Sequence, residues 1–258
     1  MTVRPLRVAA AAAVVAAVAA TVTACGADAS DDAHPDHRSF ALQGRTLTVD
    51  SDDSALELVP GDGDQVKVTR WFQGSTVVGS DPKATWAWQA DGTGSRLTLR
   101  MHCRGIVTDC SARHRVEVPR GVAVVVKDGD GSVRASGFEK GLDITTSDGS
   151  VHVENVTGPL RLHSADGSVH ASGVDARQVS VRTSDGSADI ALRTVPDRVD
   201  VRSADGSLTL TVPGATTYRV TAGSADGSVH VSVPRDTRSP HVISARTQDG
   251  KVTLRTAN

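Results

Sequence analysis

An Asp-Gly pair recurs seven times in the second half of this 258-residue chain and constrains its fold more than any other feature. Successive pairs lie 18, 18, 19, 20, 21 and 23 residues apart, and six of the seven are followed by serine. A period near 20 residues is typical of stacked repeats, in which each unit buries its apolar face only against its neighbours. The aspartates of the pairs are Asp130, Asp148, Asp166, Asp185, Asp205, Asp226 and Asp249.

Apolar and polar residues alternate on both sides of each pair. Around Asp148 the apolar positions are Leu142, Ile144, Val151 and Val153, and the other repeats carry small apolar residues at the same offsets. A period of two with one apolar face predicts two half-buried strands per repeat. Because three Phe, three Trp and one Tyr make up only 3% of the chain, the core must consist of layers of small branched side chains.

Two architectures could place these strands side by side. Asp-Gly is a favoured hairpin turn, so a meander of antiparallel hairpins is one alternative. A parallel coil stacks equivalent positions into rows about 4.8 Å apart, which explains the serine or threonine that recurs two positions before the aspartate, from Thr146 to Thr247. We therefore predict an all-β fold, a β-solenoid of about seven short coils that the crossover rule makes a right-handed parallel β-helix.

These patterns divide the chain into four segments. Residues 1–24 place Arg4 and Arg7 before an Ala/Val run, which predicts a signal peptide. Residues 25–39 are polar, acidic and contain proline, which predicts a flexible tether. Residues 40–127 carry strand patterns without the tight period and are expected to form a β cap or irregular first coils, with a separate small β-domain as the alternative. Residues 128–258 form the predicted repeat solenoid.

Cys25 follows the small residues Val22-Thr23-Ala24 at the end of the signal peptide. This arrangement resembles the lipobox of bacterial lipoproteins, whose cysteine becomes the lipidated N-terminus. An ordinary signal peptide or a membrane anchor is the alternative, although the uncharged run of residues 8–24 is short for a spanning helix. We expect an extracytoplasmic protein that an N-terminal lipid anchors to the outer face of the cytoplasmic membrane.

Lipidation of Cys25 leaves Cys103 and Cys110 as an even pair. Disulfides persist outside the cytoplasm, and a bond here would close the short loop of residues 104–109. A metal site is the alternative, but only His102 and His114 lie nearby as further ligands. The pair therefore predicts a disulfide, and the sequence predicts neither a metal site nor a cofactor.

The lipobox, the recurring Asp-Gly-Ser corner and the Val-Pro-Arg-Gly segment of residues 118–121 resemble the bacterial putative-adhesin family. Members of that family are β-strand-repeat proteins, often lipoproteins in actinobacteria, and their function is unknown. The resemblance spans roughly residues 40–258 and implies the architecture, without a catalytic motif. The family name transfers no activity to this chain.

Three sets of side chains are candidate binding sites. Arg182, Arg202 and Arg246 stand three positions before their aspartates, in a row that could hold an anionic polymer or lipid headgroups; a solvated face is the alternative. Trp86 and Trp88 share a strand face and could stack on sugar rings, or could close the end of the solenoid. The aspartates could bind calcium, or each could cap its own turn while the glycine supplies a positive φ.

The sequence predicts a binding or scaffold module and no enzyme. It contains no Gly-x-Ser-x-Gly, His-Glu-x-x-His, phosphate-loop or Cys-x-x-Cys motif. A net charge of −2 gives no basic excess for nucleic acid. We expect a lipid-anchored envelope protein whose partners are the membrane and a cell-wall polymer or another envelope protein. A carbohydrate-active β-solenoid enzyme is the alternative, and it would need acids from different repeats to converge in a groove.

Overall fold

The computed structural model describes residues 28–257, so the predicted signal peptide and Cys25 lie outside the described residues. Among residues 28–257, no helix is long and apolar enough to span a membrane. A 3-10 turn at Ala29–Asp31 precedes the strands. The strands are β1 (Asp36–Ala41), β2 (Thr46–Ser51), β3 (Ala55–Gly61), β4 (Gln65–Gly79), β5 (Lys83–Ala90), β6 (Ser95–His102), β7 (Gly105–Pro119), β8 (Ala123–Asp128), β9 (Val133–Ser136), β10 (Leu142–Thr146), β11 (Val151–Glu154), β12 (Leu160–Ser164), β13 (Val169–Val174), β14 (Gln178–Thr183), β15 (Ala188–Leu192), β16 (Arg198–Arg202), β17 (Leu208–Val212), β18 (Arg219–Asp226), β19 (Val229–Ser232), β20 (Val242–Asp249) and β21 (Val252–Thr256).

The strands form two sheets, and each coil contributes one strand to each sheet. Strands of successive repeats pair in parallel, in the register that aligning the aspartates predicts; for example, Leu142 lies beside Leu160 and Ile144 beside Leu162. The predicted β-solenoid is therefore confirmed, and the antiparallel meander is excluded for the repeats. The sheet orders are β1-β4-β7-β3-β9-β11-β13-β15-β17-β21-β19 in the eleven-stranded sheet and β18-β20-β16-β14-β12-β10-β8-β2-β6-β5 in the ten-stranded sheet.

The core lies between the two sheets and consists of rows of small apolar side chains. Val153 and Val181, from opposite sheets, are fully buried, as are their equivalents in neighbouring coils. Phe138, Val156 and Val174 close the early coils at the edge opposite the Asp-Gly corners and are at most 4% exposed. Since successive side chains of a strand point to opposite faces, the alternation in the sequence decides which residues enter this core.

The coils do not stack in sequence order at either end of the solenoid. Strand β20 pairs with both β16 and β18, and β21 pairs with both β17 and β19, so the seventh repeat lies between the fifth and the sixth. At the other end, β2 lies between β6 and β8. The connection of residues 213–218 crosses over one level, and that of residues 233–241 returns to the level left open; in the first, buried Tyr218 donates its hydroxyl hydrogen to the Pro213 carbonyl at 2.7 Å.

Residues 40–127 contribute strands to the same two sheets. Strands β2 and β3 form one coil, and β6 and β7 form the outermost coil at the N-terminal end. Strands β1, β4 and β5 then close this end by antiparallel pairing. Within the segment predicted to be a flexible tether, β1 begins at Asp36 and Ala29 is only 3% exposed.

Strands β4 and β7 extend past the corner of the outermost coil as a two-stranded arm. We define the arm as residues 72–79 of β4 and 105–112 of β7, which pair antiparallel from Phe72–Ala112 to Gly79–Gly105. In the outermost coil, Leu99 is the last residue of β6 whose side chain lies in the core between the sheets, and His114 of β7 is the next residue to occupy an equivalent buried position. The arm lies between them and takes the place of the Asp-Gly corner.

Candidate functional site

Arg182, Arg202 and Arg246 lie side by side on the outer face of the ten-stranded sheet. Strand pairing places Arg182 beside Arg202 and Arg202 beside Arg246, and all three side chains are exposed. Stacking in sequence order would have put Gly223 between the last two, because Gly223 occupies the equivalent position of the sixth repeat. The exchange of the last two coils therefore makes this arginine row continuous. Neighbouring parallel strands set its spacing at about 4.8 Å.

One carboxylate partly neutralises the arginine row. Asp200 lies on the same outer face, is 8% exposed and contacts the Arg202 guanidinium at 2.9 Å; Arg198 approaches it at 3.9 Å. Arg182 donates to the Ser180 hydroxyl at 3.4 Å. Within residues 28–257, Arg182 and Arg246 form no salt bridge. Two of the three arginines thus keep an uncompensated charge.

A shallow depression of about 240 Å³ adjoins the arginine row. Arg161, Arg182 and Arg198 contribute cationic groups to it, and Gln178 and Ser180 contribute polar side chains. Guanidinium groups bind carboxylates and phosphates through paired hydrogen bonds, so this face suits a polymer that carries repeated anionic groups. Sequence reasoning missed Arg161 and Arg198, although both stand at outward-facing polar positions of the alternation.

The corners show what holds each turn. The Thr146 hydroxyl accepts a hydrogen bond from the Gly149 N–H at 3.2 Å and donates to the Gly129 carbonyl of the preceding corner at 3.0 Å. Ser164 repeats this arrangement one coil further on. The serine or threonine row, which we call the hydroxyl row, therefore caps the turns and links them. Capping of the turns, one of the two roles predicted for the aspartates, is therefore performed by the hydroxyl row.

The corner glycines are required by close stacking. A Cβ added at Gly149 would lie 1.7 Å from the Gly131 carbonyl oxygen, and one at Gly167 would lie 2.0 Å from that of Gly149. Of the corner glycines in the described residues, Gly250 alone has a positive φ. The expectation that glycine supplies a positive φ is therefore wrong for the other corners, where the absence of a side chain matters instead.

The corner aspartates stand in an exposed row along one edge of the solenoid. Partial desolvation and the neighbouring carboxylates Asp130 and Asp166 raise the pKa of Asp148. In residues 28–257, no group of three or more His, Cys, Asp or Glu side chains is arranged to hold a metal ion. The aspartates do not converge into a groove, which is the arrangement that the enzyme alternative requires.

Trp86 and Trp88 lie on β5 at the N-terminal end, half-buried against the core. The Trp88 ring stacks on Phe40 of β1, with ring centroids 4.8 Å apart and planes 11° apart. The guanidinium of Arg70 lies 4.3 Å from the Trp86 ring centroid, and that of Arg38 lies 5.4 Å from it. These contacts occupy ring faces that a sugar would need, and they join the two sheets where the core would otherwise be open.

Cys103 and Cys110 form a disulfide. Cys103 follows β6, and Cys110 lies in β7 opposite Gly74 of the arm. The predicted disulfide is thus confirmed, and it closes the loop of residues 104–109. Its position ties the arm to the outermost coil.

Comparison with known proteins gives a family and no function. The Toastrack DUF4097 family model matches residues 114–258, which is more than half of the chain. Curated proteins give no match. Among solved structures, a putative lipid binding protein from Parabacteroides distasonis is 13% identical, with 88% of this chain and 98% of that chain covered and a TM-score of 0.49. A putative adhesin from Parabacteroides merdae is 10% identical, with coverage of 88% and 98% and a TM-score of 0.47.

Sequence identities of 10–13% to these two structures say nothing about what the present chain binds. The family match, in contrast, includes every Asp-Gly-Ser repeat. It begins at His114, where the chain returns from the arm into the coil. This chain therefore belongs to the Toastrack DUF4097 family.

Proposed function

We propose that this protein is a non-enzymatic binding module of the bacterial cell envelope, anchored by a lipid on Cys25, that holds an anionic envelope polymer along its arginine row. The continuous line of Arg182, Arg202 and Arg246 carries the proposal. A polymer with regularly spaced phosphates or carboxylates could contact successive strands, since each rigid step of the solenoid presents one more guanidinium.

Two further observations support an extracytoplasmic binding role. The disulfide between Cys103 and Cys110 is of a kind that persists in oxidising compartments. The depression beside the arginine row is open and shallow, which suits an extended polymer better than a small enclosed substrate. The lipobox that ends at Cys25 supports anchoring on the outer face of the membrane.

A co-sedimentation assay on purified cell-wall polymer tests the proposal. The triple variant Arg182→Gln, Arg202→Gln, Arg246→Gln removes the row and should lose most of the retained protein. A matched control is Arg134→Gln, Arg177→Gln, Arg193→Gln, which removes three exposed arginines outside the row and should leave retention unchanged. Binding by the native row should also fall steeply with added salt, because paired ionic contacts are screened.

Three results would contradict the proposal. Equal losses in both triple variants would indicate non-specific attraction to net charge. Retention that depends on calcium and survives the arginine changes would assign binding to the corner aspartates. Absence of retention at low salt would remove the polymer as a partner.

A further inference from the structure

The tip of the arm carries the most exposed large hydrophobic side chains of the described chain. Val77 is 74% exposed, Ile106 67% and Val78 58%. We call these three residues the arm tip. Among the other side chains whose exposure the structure describes, Val229 at the opposite end is the one large hydrophobic residue that is exposed, at 43%. Apolar side chains clustered at a protruding point are typical of an interaction site.

The arm tip is apolar on both of its faces. Val77 and Val78 are consecutive residues of a strand, so their side chains point to opposite sides. Ile106 lies directly opposite Val78 in the antiparallel register and shares its face. A flat protein surface would cover one face and leave the other in water. An occupant that surrounds the tip, such as the interfacial layer of a membrane, covers both.

The arm is held in one position before any partner binds. The disulfide ties its second strand to the outermost coil, and the hydroxyls of Thr76 and Thr108 hydrogen-bond across the strands at 3.0 Å. Gly79 and Gly105 lie so close that a Cβ on Gly79 would be 2.6 Å from the Gly105 Cα. A preorganised arm can insert apolar side chains without the entropy cost of ordering a loop.

The beginning of the described chain lies against the arm. Asp32 accepts a hydrogen bond from the Phe72 N–H at 3.0 Å, and Ala29 is buried where the 3-10 turn packs on β4 and β7. Followed backwards from Asp36, the chain thus continues beyond the corner, in the direction of the arm tip. Cys25 stands three residues before Asp28, and three residues span at most about 10 Å.

We propose that the arm tip enters the interfacial layer of the membrane that holds the lipid on Cys25, as a second contact beside the lipid. This inference rests on the lipid anchoring in the proposed function. Charge favours the orientation: the arm projects past the corner, so it holds the acidic corner row away from an anionic surface, whose field is screened over about 8–10 Å. The lipid and the tip together fix how the solenoid stands on the membrane.

Depth-dependent fluorescence quenching tests the inference with the full-length lipidated protein. Val77→Trp places a reporter at the tip, and Ile106→Trp places a second one on the other strand. Val229→Trp is the matched control, an exposed valine of a strand at the far end. Each protein is reconstituted into phosphatidylglycerol–phosphatidylethanolamine vesicles in which some acyl chains are brominated. The emission of the wild-type tryptophans is subtracted, and flotation with the vesicles is recorded separately.

We expect both tip reporters to be blue-shifted and quenched by the brominated chains, and the Val229→Trp reporter to remain unquenched. Tip reporters that stay solvent-like while the protein floats would overturn the membrane contact and leave the lipid anchor intact. Tip reporters that are shielded from acrylamide without lipid would assign the tip to a protein partner and also overturn it. Loss of flotation would contradict the anchor itself, and the tip contact with it.

Discussion

The two ends of the solenoid are closed in different ways. At the N-terminal end, three antiparallel strands and the stacked rings of Phe40 and Trp88 cover the core. At the C-terminal end, the outermost coil has no further strand over it in the described residues, so Val220 and Val231 are half-buried and Val229 is exposed. The N-terminal end is covered by additional strands, whereas the exposure of the core at the C-terminal end depends on which repeat is outermost.

The exchange of the last two coils explains how the C-terminal end is stabilised without a cap. The seventh repeat carries Ile243 and Leu254 at inner positions where the sixth carries Val220 and Val231. Placing the seventh repeat inside buries two more methylene groups, which stabilises the fold by roughly 1–2 kcal/mol. The comparison teaches that, where no cap is available, the less apolar repeat takes the exposed position.

A charge in the middle of the stack should have the largest effect. Val181 is fully buried in β14, so Val181→Asp places an unpaired carboxylate between two sheets and should cost about 4 kcal/mol or more. The matched change Val229→Asp, at the open end, should cost about 0.5 kcal/mol or less. Denaturant unfolding of both variants measures the difference. Similar losses would mean that the C-terminal end is covered in solution and would break the comparison.

Loss of an aromatic cap should have an intermediate effect. Trp88→Ala removes the stack on Phe40 and uncovers the core beneath it, and we expect a loss of about 2 kcal/mol, below the range for a fully buried tryptophan. Val231→Ala at the open end is the control and should cost about 1 kcal/mol or less. If thermal or denaturant unfolding showed the two changes to be equal, the N-terminal strands would stabilise that end without the aromatic rings.

The smallest effect should depend on pH and concerns a carboxyl group near the N-terminal end. Asp128 occupies, in the first repeat, the position that the hydroxyl row fills in the others, beside Thr146, and is 7% exposed. Desolvation raises its pKa to about 7, with a smaller opposing effect of the Ser51 hydroxyl. Because the folded pKa lies above the unfolded value, stability is lost as pH rises from about 4 to 7. Asp128→Ser should remove this loss and stabilise the protein by about 1–2 kcal/mol at pH 8.

Unfolding measured at pH 4 and pH 8 in both proteins checks this prediction. Burial and nearby Arg70 also lower the pKa of His114, to about 4, and that group removes stability as pH falls below 6.5. Its contribution cancels when the variant is subtracted from the wild type. Thr146→Ser, in the same hydroxyl row, is the control and should give a difference that does not vary with pH. A stabilisation of Asp128→Ser that is equal at both pH values would refute the buried carboxylate as its cause.

The sequence predicted the parts of the fold that depend on local pattern. Alternation placed Val181 inside and Arg182 outside, and setting Cys25 aside for the lipid left Cys103 to pair with Cys110. The order of the last coils could not be predicted, because every repeat carries an Asp-Gly corner and pairs in the same register. The lengthening of the spacing to 21 and 23 residues was the available signal, since it begins where the coils stop stacking in sequence order.

The sequence predicted which arginines form the candidate site, but it did not predict how they are arranged. The row of Arg182, Arg202 and Arg246 followed from the alignment, but its continuity came from the exchange of coils. The arm was missed because its exposed valines lie in a segment without the tight period. Apolar and polar residues alternate in the parts of β4 and β7 outside the arm, but this pattern does not indicate that the two strands continue past the corner.

The exchanged coils also bear on the order in which the chain can fold. In a chain that emerges from its N-terminal end, the sixth repeat is available before the seventh, and at that moment the level open to it is the edge of β16 and β17, where the seventh belongs. Both repeats offer an Asp-Gly corner preceded by a hydroxyl side chain to that edge, so an early arrival there is a competing parallel pairing. The native arrangement is complete only when the last residues, up to β21, have been released. Slow folding of long-range parallel strands would then work in favour of the correct order.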